Sequence, residues 1–411
     1  MAKTTINHIT SSDNLCNYAT IGFDIGGTNI RTCVYNNGNF VELVPPKNIG
    51  LKGIGSRSIR LKDKYSYVLD TPSRYLYHRK KQRIPKALEI KNLIADNLTR
   101  IILFLIKSYT NLNICNIGIA FAGPVKKEEN GLIKCAVNIW GMGSFDLKTA
   151  LIQRLRYENI IISNITIAVD DEASGYRYLQ QREYTQNNEE LHYLTVGTGH
   201  SGVKIDINTK KMIPYESGHH QVIKDPNHFL YLPCNCGKNG HLEPLVAGSG
   251  VEKLVRRLST QTRYQNKVKN SLLVKKNINK ITANDVIESA KEGDTFALEA
   301  LRISAEYLSQ YVILPIIQRA KDKSRLMIII NGGYIRAIGS RLYLQMVKSK
   351  LATLINKNPI QNFSINKINE SVIIGINDDN DALYGAVFMA EDSYKTISET
   401  IAKRGQTYQG C

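Results

Sequence analysis

The sequence predicts a two-lobed α/β protein with a cleft between the lobes. Three observations carry that expectation. Strand-type and helix-type runs alternate through both halves, glycines stand at strand ends, and 411 residues suffice for two domains that each bury a core.

The first lobe is expected over 19–169, behind a polar arm at 1–18. Ala19–Asp24 is a short β-type run, Gly26-Gly27 turns it, and Asn29–Tyr35 returns as a second strand, so the three read as a hairpin. Asn36-Asn37-Gly38-Asn39 turns into a strand at Phe40–Val44, which Pro45-Pro46 ends because neither proline can donate to a ladder. A basic segment at 47–86 interrupts the alternation. From Ala87 to Ser108, Leu88, Leu93, Leu98, Ile101, Ile102 and Leu105 recur at helical spacing. Asn116–Phe121 reads as a buried strand running into Ala122-Gly123-Pro124. A second hairpin, a helix near Leu147–Arg156 and a strand near Ile160–Val169 complete this lobe.

The second lobe is expected over 170–378. It opens with a helix over 171–183, then strands over 192–197 and 202–207 joined through Gly197-Thr198-Gly199, then a Cys- and His-rich loop over 215–243. Helices follow over Gly248–Arg257, over Thr282–Lys291 with Thr282 as N-cap, and over Asp294–Lys321, where Pro315 is expected to kink the axis. Strand Leu326–Ile330 meets Asn331-Gly332-Gly333 and a helix to about Leu354, and a strand at Val372–Ile374 comes last. The remaining 379–411 is expected to return a helix, Ala382–Tyr394, to the first lobe and to end in a tail.

Composition narrows the classes. Hydrophobic content of 43% and charged content of 22% are those of an ordinary globular chain. The longest apolar run, Ile101–Ile106, is far too short to span a membrane, and the first nineteen residues lack the apolar core of a secretory leader. Seven cysteines, mostly scattered, argue against a disulfide framework; Cys33, Cys115 and Cys135 read as small buried fillers. A cytoplasmic protein is expected. The net charge of +18 is concentrated: twelve Lys and Arg face only Asp63 and Asp70 between 47 and 86. The basicity therefore belongs to one segment. It reads either as a solvated loop or as a surface for an anionic partner, with four tyrosines that could stack on bases.

Two kinds of motif carry chemistry. In Tyr215–Glu243, Cys234-x-Cys236 offers two soft thiolates, and His241 follows five residues later across a turn that Gly237 and Gly240 permit. A histidine from upstream, where His219, His220 and His228 stand, would complete a tetrahedral zinc site. The plainer alternative is a surface loop with reduced thiols. Glu216 and Glu243 flank the cluster, and carboxylates accept the hydrogen bonds that sugar hydroxyls donate. The second kind is the glycine turn after a strand. Gly26, Gly27 and Thr28 follow Asp24, an acid suited to Mg²⁺, and Gly197, Thr198 and Gly199 repeat the design. Two such turns suit a nucleoside triphosphate, and no GxxxxGK[ST] occurs, which excludes a P-loop enzyme.

The residues in this order resemble the ROK sugar kinases. The resemblance rests on Asp24-x-Gly-Gly-Thr28, Ala122-Gly123-Pro124, Asn138-x-Trp140, Asp170-Asp171, Gly197-Thr198-Gly199, Glu216-x-Gly-His219, Cys234-x-Cys236-Gly-x-x-Gly-x-x-Glu243 and Gly332-Gly333. It runs from about Ile21 to about Ala390. It implies a ribonuclease-H-like, actin-like ATPase fold, ATP and Mg²⁺ as cofactors, a structural zinc, a homodimer, and a hexose phosphorylated at its 6-hydroxyl, glucose first. Fructose, mannose or an N-acetylhexosamine are the alternatives. Carried over residue by residue, it makes Asp171 the general base and gives Asn138, Glu216, His219 and Glu243 to the sugar. Gly26, Gly27, Thr28, Gly197, Thr198, Gly199, Gly332 and Gly333 go to ATP, and Asp24 to Mg²⁺. His219, Cys234, Cys236 and His241 go to zinc.

Three features depart from the family. Asp170 stands where Asn is usual, and in an extended segment only one of Asp170 and Asp171 would face the site. His241 replaces the third zinc cysteine, and the basic segment has no counterpart. A sugar-responsive regulator that binds nucleic acid is the reading from another class. Such regulators carry a winged-helix domain before the first glycine turn, for which the residues before Asp24 are too few.

Overall fold

The computed structural model describes residues 18–25, 29–42, 60–62, 66–68, 87–126, 131–134, 143–376 and 378–408. The chain divides into two compact units, Met1–Gln180 with Asn380–Cys411, and Gln181–Asp379. The helix bearing Asp170 and Asp171 thus belongs to the first unit.

The first unit is built on a seven-stranded sheet. Its strands are β1 (Tyr18–Ile25), β2 (Asn29–Asn36), β3 (Asn39–Glu42), β4 (Arg60–Lys62), β5 (Ser66–Val68), β6 (Asn113–Phe121) and, beyond a separate two-stranded pair β7 (Val125–Lys126) and β8 (Leu132–Ile133), β9 (Asn164–Val169). β1 pairs antiparallel with β2 and parallel with β6, and β6 pairs parallel with β9. Asn37 (φ 47°) and Gly38 (φ 83°) make the tight β2–β3 turn, since both central residues of such a hairpin need positive φ. β3 and β5 share the outer edge of β2: β3 pairs with its second half and β5 with Asn29–Arg31. The basic segment is therefore not only loop, because its residues 60–62 and 66–68 extend the sheet.

Alternation along β1 sorts its side chains. Ile21, Phe23 and Ile25 face one core, filled by Ile94, Leu98, Ile101 and Leu105 of the Ala87–Ser108 helix. On the opposite face Gly22 stands beside Gly118 of β6, and the Asp381–Tyr408 helix lies over that pair. The fit is close. A Cβ on Gly118 would meet the Ala386 carbonyl at 2.1 Å, and one on Gly385 would meet the Ala173 carbonyl of the Asp170–Leu179 helix at 1.6 Å. Buried beside this contact, Arg177 pairs with Asp381 at 2.6 Å, and Tyr178 donates to the same carboxylate at 3.0 Å.

The second unit repeats the plan. β10 (Glu190–Val196), β11 (His200–Asp206), β12 (Met212–Tyr215), β13 (Leu326–Asn331) and β14 (Val372–Ile374) lie in the order β12-β11-β10-β13-β14. Two antiparallel pairings are followed by two parallel ones, the same sequence as β3-β2-β1-β6-β9. Helices cover it, with Leu254, Leu258, Val286, Phe296, Leu301 and Leu308 in one continuous core. Thr282 caps its helix as expected, in a full capping box with Asp285. The long helix expected to kink at Pro315 instead runs Thr295–Leu308, passes through a π turn at Ser309–Ile313, and resumes at Leu314–Arg319. The wider turn comes before the proline, which supplies no N–H to the preceding turn and whose ring would otherwise collide with a carbonyl there.

Candidate active site

In the first unit, Ile25, Phe121 and Val169 stand in register at the ends of three parallel strands. Asp24, Ala122 and the Asp170-Asp171 pair therefore leave the sheet along one carboxyl edge, where open α/β sheets bind their ligands. Asp24 is half-buried and pairs with Arg31 across the hairpin at 3.5 Å. Asp170 and Asp171 are not extended, as the alternation argument assumed; they open the Asp170–Leu179 helix, with Val169 as N-cap. Two acids and Glu172 suit a first helical turn, whose free N–H groups favour negative charge. Asp171 is buried and its N–H donates to Asp170 Oδ1 at 3.0 Å. Helical geometry, rather than strand alternation, separates the two side chains. Gly26, Gly27, Thr28 and Asn138 lie outside the described residues.

In the second unit the matching edge carries Gly197-Thr198-Gly199, between β10 and β11, and Gly332-Gly333, after β13. The Gly248 N–H donates to the Gly197 carbonyl at 2.8 Å and the Ser249 N–H to Thr198 at 3.3 Å, which brings the start of the Gly248–Ser259 helix against the turn. Gly332 holds φ 130°, and a Cβ there would meet the Val196 carbonyl at 2.4 Å. Asn331 Oδ1 fixes it by accepting from the Gly332 N–H at 2.8 Å and from Arg336 at 2.9 Å. Two helix starts and one glycine turn thus converge at a place suited to phosphate.

The Cys- and His-rich loop packs onto this turn. His219 ends a 3₁₀ turn, Ser217–His219. Cys234 and Cys236 sit in a tight loop where the Cys234 N–H donates to Lys238 and the Gly237 N–H to Cys234. Gly240 holds φ 75°, and any Cβ there would lie 2.0 Å from the Ile223 carbonyl. The result brings His219, Cys234, Cys236 and His241 together, with one donor atom of each inside 4.8 Å of the others. Cys234 Sγ lies 3.7 Å from His219 Nδ1, and Cys236 Sγ 3.2 Å from His241 Nδ1. A regular tetrahedral site with bonds of about 2.3 Å spaces its ligands about 3.8 Å apart, so the set fits a cation of that kind. Burial, with the Glu243 charge adding to it and the Cys236 backbone N–H opposing it, pushes the Cys234 thiol up to about 12; a bound cation reverses that. His220 and His228 stay out of the cluster: His220 is exposed, and His228 Nδ1 accepts from the Leu230 N–H.

Glu243 begins a short helix and joins cluster to turn. Its Oε1 accepts from Cys234 at 3.6 Å, and its Oε2 stands 2.9 Å from where a Cβ on Gly199 would be. Glu243 thus packs directly against Gly199, and a side chain there would have to push the carboxylate aside.

The sequence model of the ROK family matches residues 68–393. The chain belongs to the ROK family. A glucokinase of Halalkalibacterium halodurans is 28% identical over 226 residues, which is 54% of this chain and 62% of that protein. The match therefore spans less than two thirds of the relative's length. Among solved structures, a ROK family glucokinase from Streptomyces griseus in complex with glucose and AMPPNP is 19% identical, with a TM-score of 0.58 over 91% of this chain and 99% of that one. The ROK hexokinase from Thermus thermophilus gives 16%, 0.57, 92% and 99%. At such identity these two structures speak for the fold.

Two residues of this ROK chain escaped the sequence reading. His200 and Ser217 carry no motif of their own, and only the folded β10–β11 hairpin brings them together, 2.9 Å apart. No described helix is long and apolar enough to cross a membrane.

Proposed function

We propose that this ROK chain is an ATP-dependent hexose kinase, with glucose as its substrate and glucose 6-phosphate as product. The observation that carries the reading is the packing of Glu243 on Gly199, which sets a sugar-type acceptor directly beside a phosphate-type turn in one unit. Phosphoryl transfer needs positioning and neutralisation of charge more than covalent help. Asp171 takes the proton of the attacking hydroxyl. It is buried in the first turn of a helix, whose free N–H groups favour negative charge. Asn138, Glu216, His219 and Glu243 hold the other hydroxyls of the same hexose. Gly26, Gly27, Thr28, Gly197, Thr198, Gly199, Gly332 and Gly333 hold ATP, and Asp24 holds its Mg²⁺.

The cation assigned to His219, Cys234, Cys236 and His241 is zinc. Two thiolates and two imidazoles match its preference, and four protein ligands leave no position for water, so the ion fixes the loop and takes no part in the chemistry. A kinase drawing on cellular ATP works in the cytoplasm, and a homodimer is its proposed state.

A coupled assay with ATP across a panel of hexoses tests the reading. Turnover should be greatest with glucose, and Asp171→Asn should lower kcat on the order of a thousandfold while sugar still binds. Sugar binding without turnover in the wild type would make the chain a regulator; an inactive Asp170→Asn beside an active Asp171→Asn would move the base by one residue.

A further inference from the structure

His200 opens β11 and is 2% exposed, yet its N–H and both ring nitrogens are engaged. Ring Nδ1 lies 2.9 Å from the Thr195 carbonyl. A carbonyl only accepts, so Nδ1 carries the proton and Nε2 is left as an acceptor. The partner of Nε2 is the Ser217 hydroxyl, buried and 2.9 Å away, which must donate. The His200 N–H reaches Glu243 Oε2 at 3.4 Å. Its carbonyl leaves no room for a side chain on Gly218, whose Cβ would come within 2.3 Å. One residue therefore touches β10, the 3₁₀ turn and Glu243. Ser217 lies between Glu216 on one side and His219 on the other, so whatever holds Ser217 also sets an assigned sugar acceptor and an assigned metal ligand.

We propose that His200 is a positioning residue, a neutral imidazole of one fixed tautomer that ties the hexose-binding turn Ser217–His219 to the Gly197–Gly199 turn. The proposal rests on the hexose-kinase reading for its consequence, not for its geometry. Burial supports the neutral form by holding the ring near 4, below its ordinary 6.5. A charged ring would present a second donor where Ser217 now donates, and would reverse that hydroxyl. The link acts at a distance from the reacting atoms, so it should govern how well the sugar is held more than how fast phosphate moves.

Three substitutions separate this from a general packing role. His200→Asn keeps an amide donor near the Thr195 carbonyl and loses Ser217; His200→Gln places its amide near Nε2 and keeps Ser217; Ser217→Ala removes the hydroxyl alone. His200→Asn and Ser217→Ala should each raise the KM for hexose about tenfold, the size of one lost buried hydrogen bond. The KM for ATP should stay within about twofold, and His200→Gln should recover most of the hexose affinity. The double variant should be no worse than either single one, because both remove the same contact. Equal shifts in both KM values, additive singles, or His200→Gln as damaging as His200→Asn would overturn the proposal. Amide hydrogen exchange at Ser217–His219 reads the link with no reaction at all. Protection there should fall in His200→Asn and hold in His200→Gln; unchanged protection overturns the link. Lost protection in a chain whose wild type phosphorylates no hexose would instead refute the kinase reading and leave the link intact.

Discussion

Three glycines seat the Asp381–Tyr408 helix, and adding one methyl group to each should harm the protein in a definite order. At Gly385 the new Cβ would lie 1.6 Å from the Ala173 carbonyl, and at Gly118 it would lie 2.1 Å from the Ala386 carbonyl. Ordinary contact needs about 3.4 Å or more, and a backbone carbonyl inside a helix cannot turn aside, so whole helices must part by more than an ångström. At Gly22 the nearest atoms are Val387 Cγ2 at 2.6 Å and Cys33 Sγ at 2.9 Å, both on side chains that can rotate. Overpacking of this kind costs about 1–3 kcal/mol, with backbone collisions at the upper end or beyond. Gly385→Ala should therefore lose about 3 kcal/mol or more, Gly118→Ala slightly less and Gly22→Ala about 1. For a unit of this size each kcal/mol moves Tm by about 2–4 °C, so Gly385→Ala should melt roughly 6–12 °C early in calorimetry. Gly293 separates strain from collision: its φ is 84° but nothing lies within 4 Å, so Gly293→Ala should cost only about 1 kcal/mol. Since Ala173 shares its helix with Asp171, Gly385→Ala should also lower kcat in whatever fraction stays folded. A Gly385→Ala protein melting within about 2 °C of wild type, or melting above Gly22→Ala, would refute the close packing.

Three further outcomes follow from the described contacts. His200 titrates near 4 because it is buried, against 6.5 when free, so between those values the unfolded chain binds a proton that the native ring refuses. Its stabilising neutrality is complete above about pH 6.5 and up to about 3 kcal/mol is lost as pH falls towards 4; urea unfolding at pH 7 and pH 5 should show this, and His200→Gln should flatten it. Removing metal with a chelator, or Cys236→Ser, should raise the KM for hexose and lower the melting temperature of the second unit while ATP affinity holds; metal analysis finding no zinc in active protein would count against the cluster's role. Asp381→Ala should cost about 3 kcal/mol, because it removes the carboxylate that Arg177 meets at 2.6 Å in a site where the arginine side chain is only 9% exposed; equal stability by denaturant titration would show that the pair is worth nothing.

Much of this molecule was legible before folding, and the failures have physical causes. The β-type run Ala19–Asp24, the Asn37-Gly38 turn and the Thr282 cap were readable because each depends on neighbours in sequence. The donor set His219, Cys234, Cys236 and His241 was readable from spacing and family pattern together, since the ligands fall inside 23 residues. Pro315 announced a disturbance but not its form, which is a π turn in the residues before it. The extended reading of Asp170-Asp171 failed at the point where β9 hands over to a helix within one peptide. β4 and β5 hid because three-residue strands show no period, and Arg60 and Lys62 of β4 read as solvent-facing. His200 could not have been found, since its meaning lies in Thr195, Ser217 and Glu243, which only the sheet assembles.

The division of the chain has a consequence for how it is made. The second unit is one continuous run, Gln181–Asp379, whereas the first is completed only by the Asp381–Tyr408 helix. A ribosome adds about 5–20 residues each second, so some 200 residues and roughly 10–40 s separate the emergence of β9 from that of the helix which covers its sheet. Throughout that interval the glycine face of β1 and β6 waits without its lid. The later-born unit is thus free to finish folding first, and a nascent chain stalled near residue 380 would present a completed second unit beside an unfinished first one.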